Sequence, residues 1–138
     1  MADIFISYSR KDSTFVHRLH EAFAAEKREA WVDWKGILPS AEWVQEIKTA
    51  IEEANAFVYV ITPDSVVSEV CQRELSIAVE QNKRLIPIVF RVVDDKIVPE
   101  PLAKLNWIYF RDKDNFRRSF HALIRAIDTD LDYVRAHT

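Results

Sequence analysis

The chain has 138 residues, an apolar fraction of 49% and a net charge of −3 at pH 7, which is typical of one globular domain and excludes a largely disordered chain. The slight net acidity gives no basic field for nucleic acid, and no apolar run approaches the roughly 18 residues of a membrane-spanning segment. Gly36 is the only glycine, which excludes Rossmann dinucleotide sites, P-loop nucleotidases and kinases, because their phosphate loops need several glycines.

The first half of the chain alternates apolar runs with amphipathic segments. Residues 3–8 and 29–33 are short apolar runs that predict buried strands. Between them, an apolar stripe at helical spacing predicts a helix with Phe15, Leu19 and Phe23 on its inner face. Residues 34–40 contain the glycine and a proline, which is typical of a loop. A second amphipathic helix is predicted over about 41–54.

The second half repeats this alternation. Residues 56–62 and 85–90 predict two further buried strands, although Pro87 is unusual inside a strand because it lacks a backbone donor. The helix between them has a predicted inner stripe of Val67, Cys71, Leu75, Ala78 and Val79. After an irregular stretch, residues 107–110 predict a fifth strand. A last helix is marked by Phe116, Phe120, Leu123, Ile124 and Ile127.

Strands that alternate with helices predict an α/β fold with a parallel sheet. We expect a flavodoxin-like three-layer sandwich, with five parallel strands in the order 2-1-3-4-5 and helices on both faces. Residues 1–127 form the predicted domain. Residues 128–138 are a polar tail, either the start of a linker to a further domain or a frayed terminus. Ligands of such folds bind at the carboxyl ends of the strands.

One acidic side chain is placed to face that rim. On a helical projection Glu74 lies about 60° from Cys71, on the shoulder of the buried stripe and near the start of its helix. Two interpretations stay open from geometry: a partly desolvated carboxylate facing the crevice, or a solvated residue paired with a cation.

Other residues near the rim also permit two interpretations. Residues 7–13 contain three serine hydroxyls and two cations, which fit either a phosphate cradle or a helix-capping cluster. Trp31 fits a core position at the end of the second strand, whereas Trp34 lies just beyond it and is a candidate for stacking or partner contact.

Other chemistries find little support in the sequence. Cys71 lies on an apolar stripe and is expected to be a buried small hydrophobe, with no neighbouring histidine to activate it. The histidines do not cluster with it at zinc-ligand spacing, so no metal site is predicted. A receiver domain is disfavoured, because Thr62 and Pro63 stand where a phosphoacceptor aspartate is needed. A flavin-binding protein stays open as a weaker alternative.

Three segments, in order, resemble a TIR (Toll/interleukin-1 receptor) domain of the bacterial and plant type. The opening DIFISYSRKD is similar to the family's first box, and AWVDWKGILPSAEW to its second strand, BB loop and second helix. The segment SVVSEVCQRELSIAVEQNKRLIPIVF is similar to its Ser-x-x-Cys-x-x-Glu-Leu helix and the following Ile-Pro-Ile strand. The resemblance covers about residues 2–127.

The resemblance implies one of two functions. Many such domains are NAD+ nucleosidases, either glycohydrolases or cyclases, that cleave the nicotinamide–ribose bond and are activated by self-association in signalling or defence. NAD+ would then be the substrate, with no resident cofactor. Others are non-catalytic modules that act by homotypic assembly. Either implies a cytoplasmic protein, and the single cysteine also favours a reducing compartment.

The resemblance also assigns site residues. The family's essential glutamate falls on Glu74, its aromatic near the nicotinamide on Trp31, and its first-box hydroxyl and basic residues on Ser9 and Arg10. Val70 stands where several catalytic members have an aromatic, which predicts a wider pocket with weaker base stacking. The contact with other TIR domains is predicted for Trp34, Lys35, Gly36, Ile37, Leu38 and Pro39.

Overall fold

A computed structural model describes residues 2–34 and 40–137, with side chains as far as residue 129. Within these ranges strands and helices alternate in the order β1 Ile4–Ser7, α1 Ser13–Ala25, β2 Ala30–Trp31, α2 Ala41–Glu53, β3 Ala56–Ile61, α3 Glu69–Glu80, β4 Arg84–Val89, α4 Glu100–Ala103, β5 Ile108–Tyr109 and α5 Phe116–His137. A single 3-10 turn, Arg10–Asp12, lies between β1 and α1.

The five strands form one parallel sheet in the order β2-β1-β3-β4-β5, as the sequence predicts. The helices cover both faces, with α1 and α5 in one apolar cluster and α2, α3 and α4 in the other. The flavodoxin-like three-layer fold is therefore confirmed. No helix in the described ranges is long and apolar enough to cross a membrane.

The central strand β3 connects the two apolar clusters. All six of its residues are buried. Val58 and Val60 belong to the cluster under α1 and α5, whereas Phe57, Tyr59 and Ile61 belong to the cluster under α2 and α3. Successive side chains of a strand point to opposite faces, so one strand anchors both layers and holds the carboxyl-end rim in place.

Two valines on the predicted inner stripe of the third helix are exposed, which corrects that prediction. Val67 is 68% exposed because α3 begins only at Glu69, where the Ser68 hydroxyl caps it by accepting from the backbone N–H of Cys71 at 3.2 Å. Val79 is 43% exposed, since it projects about 80° from Cys71 on the helical wheel.

The edge strands and the last helix differ in length from the prediction. Strands β2 and β5 have two residues each. At Pro87, β4 pairs only with β3, because β5 pairs with β4 only at Ile88 and Val89. The missing donor of the proline is tolerated at such a one-sided position. Helix α5 extends past Ile127 to His137, so it includes most of the predicted polar tail. No proline or glycine follows Phe116 to end the helix earlier.

A buried carboxylate fastens three loops at the rim. Asp12 follows β1 and is buried, and its Oδ2 accepts a hydrogen bond from the hydroxyl of Thr62, which follows β3, at 2.8 Å. Its Oδ1 accepts from Nε and Nη2 of Arg91, which follows β4, at 3.0 and 2.7 Å. Arg91 also pairs with Asp64. These bonds hold together the loops that follow β1, β3 and β4.

The Asp12→Ala substitution should destabilise the fold by about 2–4 kcal/mol, because it leaves a buried hydroxyl without its acceptor and removes two hydrogen bonds that Arg91 donates. Urea unfolding followed by circular dichroism measures the loss. Asp64→Ala, which removes the more exposed partner of the same arginine, should cost much less. Equal losses in the two variants would contradict the role assigned to Asp12.

Candidate functional site

A cavity of about 270 Å³ opens at the rim, between the loop after β1, the end of β2 and the start of α3. It is lined by Tyr8, Ser9, Arg10, Lys11, Asp33, Ser68, Val70 and Glu74. We call it the rim pocket. Its position at the carboxyl ends of parallel strands is where ligands of this class of fold bind.

Glu74 forms the inner wall of the rim pocket. It lies in the second turn of α3 and is only 3% exposed. The hydroxyl of Ser7, the last residue of β1, donates to its Oε1 at 2.7 Å. Burial raises the pKa of Glu74 to about 8, the Ser7 hydrogen bond opposes that rise, and the nearby negative charge of Asp33 adds to it. In this environment the carboxyl therefore keeps its proton close to neutral pH.

The burial decides between the two interpretations that the sequence leaves open. Glu74 is not a solvated flank residue, and among the described side chains no lysine or arginine forms an ion pair with it. A buried carboxylate without a fixed counter-ion is costly. A cationic ligand in the pocket would remove part of that cost.

Asp33 organises the mouth of the rim pocket. Its backbone carbonyl accepts hydrogen bonds from the Tyr8 hydroxyl at 2.8 Å and from Nη2 of Arg10 at 3.4 Å. Its carboxylate accepts from the indole Nε1 of Trp43, in α2, at 3.0 Å. Burial raises the pKa of Tyr8 to about 12, so its hydroxyl stays a donor at neutral pH. Asp33 thereby links the ends of β1 and β2 to α2.

Four of the predicted site residues meet in this pocket: Glu74, Ser9, Arg10 and Val70. Ser9 caps the 3-10 turn by accepting from the backbone N–H of Lys11 at 3.4 Å. Val70 is half-buried, one helical turn before the glutamate. The structure therefore brings together the residues that the first box and the glutamate helix contribute.

Trp31 is not brought to the rim pocket. It stacks on Phe5, with ring centroids 4.9 Å apart, and lines a separate groove beside α2. Side chains alternate between faces along β2, so Ala30 packs with the α1 cluster whereas Trp31 packs with the α2 cluster. Trp31 therefore does not line the rim pocket in the described chain, and its contact with nicotinamide stays a prediction.

Trp34 is 36% exposed, as expected for a residue beyond the strand. Its ring stacks on that of His17 of α1, with centroids 4.0 Å apart, and meets His20 edge-on at 5.6 Å. Tyr8 lies edge-on at 6.1 Å, which connects Trp34 to the wall of the rim pocket. The remaining predicted contact residues, Lys35, Gly36, Ile37, Leu38 and Pro39, lie outside the described residues.

Sequence reasoning missed two residues that shape the site. Ser7 belongs to the segment that fits either a phosphate cradle or a capping cluster, but its hydroxyl donates to Glu74. Asp33 is the last residue of the predicted second strand. Its place at the carboxyl end of a strand was the feature of the sequence that could have identified it as a site residue. Cys71 is fully buried, as expected, and burial raises the pKa of its thiol to about 12, so it supplies no thiolate at neutral pH.

Comparison with known proteins agrees with the fold. The family model for the TIR domain matches residues 4–124. A curated relative from Brachypodium distachyon, named a probable 2' cyclic ADP-D-ribose synthase, BdTIR, is 27% identical over 118 residues. That match covers 83% of this chain and 53% of the relative, so the chain spans about half the length of the relative.

Two solved structures are similar over most of the chain. The TIR domain of the Toll-related receptor TRR-2 from Hydra magnipapillata has a TM-score of 0.78 and 25% identity, covering 93% of this chain and 99% of that one. A metazoan TIR-STING receptor from C. gigas, in complex with 2',3'-cGAMP, has a TM-score of 0.73 and 25% identity. It covers 92% of this chain and 39% of the receptor chain.

The Glu74→Gln substitution should stabilise the fold at alkaline pH. The folded-state pKa lies above the ordinary value of 4.5, so the carboxyl supports folding below pH 4.5 and loses that support as the pH rises through about 8. Glutamine cannot ionise. The free energies of unfolding should agree near pH 5 and differ by on the order of 2 kcal/mol in favour of glutamine near pH 9.

Urea unfolding at both pH values measures this difference. The matched control is Glu69→Gln, an exposed change in the first turn of the same helix. Its free energy of unfolding should equal that of the wild type at both pH values. Parallel stability curves for wild type and Glu74→Gln would show that the carboxyl ionises at its ordinary pKa.

Proposed function

The chain belongs to the TIR domain family, and on that premise we propose that it is an NAD+ nucleosidase that cleaves the nicotinamide–ribose bond. Glu74 is the catalytic residue, and self-association promotes the activity. The observation that carries the proposal is a buried carboxyl in the rim pocket that pairs with no lysine or arginine of the described residues. The relative from Brachypodium distachyon, a probable 2' cyclic ADP-D-ribose synthase, supports a reaction of this class.

The chemistry needs little beyond one negative charge. The bond between C1' of the ribose and the pyridinium nitrogen breaks, and its electron pair neutralises the nicotinamide that leaves. Positive charge develops on the ribose, and a facing carboxylate stabilises it. Water then bonds to C1' and releases a proton, which gives hydrolysis, or a nucleophile of the same molecule bonds there, which gives a cyclic product.

The proton on Glu74 couples binding to ionisation. Burial raises the pKa of this carboxyl to about 8. A pyridinium cation placed in the same pocket favours the ionised form, so its binding lowers this pKa and releases the proton. The Ser7 hydroxyl donates to the carboxylate that results and keeps it oriented toward the ribose.

The rest of the rim pocket fits one half of the substrate. A volume of about 270 Å³ lies just below the roughly 300 Å³ lower limit of drug-sized sites, which suits a nicotinamide-ribose unit better than a whole dinucleotide. Ser9, Arg10 and Lys11 line the mouth, where they would bind the pyrophosphate. The adenosine half then lies outside, where a neighbouring copy can complete the site. This supports activity that depends on self-association through the loop of residues 34–39.

A second candidate is a non-catalytic module that acts by homotypic assembly. Val70 favours it, because an aliphatic side chain lines the pocket where catalytic relatives are expected to place a ring that stacks on a base. Turnover in concentrated or surface-crowded protein separates the two candidates.

The Glu74→Ala substitution should abolish NAD+ cleavage. Loss of the charge that faces the ribose should reduce nicotinamide release by at least about 100-fold, measured by chromatography on concentrated protein and on protein crowded on a surface. Glu69→Ala, on the same helix but outside the rim pocket, should keep full activity. Circular dichroism checks that both variants fold.

Activity that survives Glu74→Ala would remove this residue from the mechanism. A wild-type protein that releases no nicotinamide at any concentration would favour the assembly module.

The pH dependence of kcat/KM should report the ionisation of Glu74. The carboxylate is the active form, so kcat/KM should rise about tenfold per unit below pH 8 and level off above it. Ser7→Ala should move this limb to higher pH, because the lost hydrogen bond favours the carboxylate. Asp33→Asn should move it to lower pH, because a repelling negative charge disappears. If the limb moved in the same direction in both variants, or in neither, the roles assigned to Ser7 and Asp33 would be wrong.

A further inference from the structure

The groove that holds Trp31 is acidic. Beside Trp31 and Ala50 it is lined by three carboxylates of α2, those of Glu42, Glu46 and Glu53. With Thr49 they follow the i, i+4, i+7, i+11 spacing that places them along one side of the helix. We call this surface the acidic groove.

The acidic groove suits an arginine side chain. Its three glutamates are exposed, and none forms an ion pair within the described part of the chain. Carboxylates accept both N–H groups of a guanidinium, and an indole ring attracts the same cation. The groove therefore combines two groups that favour guanidinium over other cations.

The same molecule carries a matching surface on α5. Arg117, Arg118, His121 and Arg125 are exposed along one side of this helix and line a shared shallow depression. None of the three arginine side chains pairs with a carboxylate of the described residues. We call this surface the basic face.

The spacing of the charges agrees between the two surfaces. Arg118 and Arg125 are seven residues apart, as are Glu46 and Glu53, so each pair spans about 10.5 Å along its helix. Two helices laid side by side can therefore form both pairs at once. A single copy cannot do this with its own charges, because α2 and α5 cover opposite faces of the sheet.

We propose that the basic face of one copy docks on the acidic groove of a second copy. The contact is head-to-tail, so each bound copy still offers a groove at one end and a basic face at the other. Such a contact adds copies in a row instead of closing a dimer. The inference adds a contact outside residues 34–39 to the self-association in the proposed function, and it does not depend on NAD+ cleavage.

Charge reversal tests the contact without any enzyme assay. Glu46→Arg combined with Glu53→Arg reverses the acidic groove, and Arg118→Glu combined with Arg125→Glu reverses the basic face. Each double variant alone should assemble at least tenfold more weakly than the wild type in sedimentation velocity, because like charges then face each other. An equimolar mixture of the two should assemble again, since opposite charges meet at both surfaces.

Two further double variants control for net charge. Glu52→Arg with Glu80→Arg, and Lys104→Glu with Lys113→Glu, change the charge equally at exposed positions outside both surfaces and should assemble as the wild type. Wild-type assembly should weaken as salt rises from about 50 to about 500 mM, because exposed ion pairs are screened. Circular dichroism confirms that all variants fold.

The outcomes separate this inference from the proposed reaction. Assembly unaffected by the two reversals, or a mixture that stays monomeric, would overturn the contact, as would a wild type that is monomeric at every concentration and salt. Glu74→Ala should assemble as the wild type, so a failure of catalysis appears only in nicotinamide release and leaves the sedimentation result standing.

Discussion

The hydrogen bond between the Ser7 hydroxyl and the Glu74 carboxyl is the contact on which the site depends. It joins the carboxyl end of β1 to the second turn of α3 and places an acid in the protein interior. A neutral hydroxyl offsets only part of the cost of burying a carboxylate. The uncompensated part appears as the raised pKa of Glu74, and it makes this side chain sensitive to any positive charge that enters the pocket.

Two aspartates keep the surroundings of that bond in place. Asp33 receives hydrogen bonds from Tyr8, just after β1, from the 3-10 turn and from α2. Asp12 receives them from the segments after β3 and β4. The loops at the rim are thus cross-linked by carboxylates although they contain little regular structure. Groups held in this way need little rearrangement when a ligand binds, and that preorganisation is a large part of what an active site supplies.

The sequence predicts the sheet order and the general place of the site, since apolar runs and helical stripes depend on local spacing. The position of Glu74 near the rim follows from its angle to Cys71. Its near-complete burial does not, because the partner that makes it tolerable lies 67 residues away, at Ser7. For Trp31 the period-two alternation indicates a face of β2, but which cavity that face reaches depends on where α2 packs. The predicted burial of Val79 fails because it lies at the margin of the stripe.

The site divides its residues between rigid and irregular parts of the chain. Glu74 lies on α3, whose inner residues are locked into the core, whereas Ser9, Arg10 and Asp33 lie on connecting segments. Connecting segments accept substitutions, insertions and deletions more readily than packed helices do. Substitutions in these segments can therefore reshape the mouth of the pocket without disturbing the packed helix that holds Glu74 at its base.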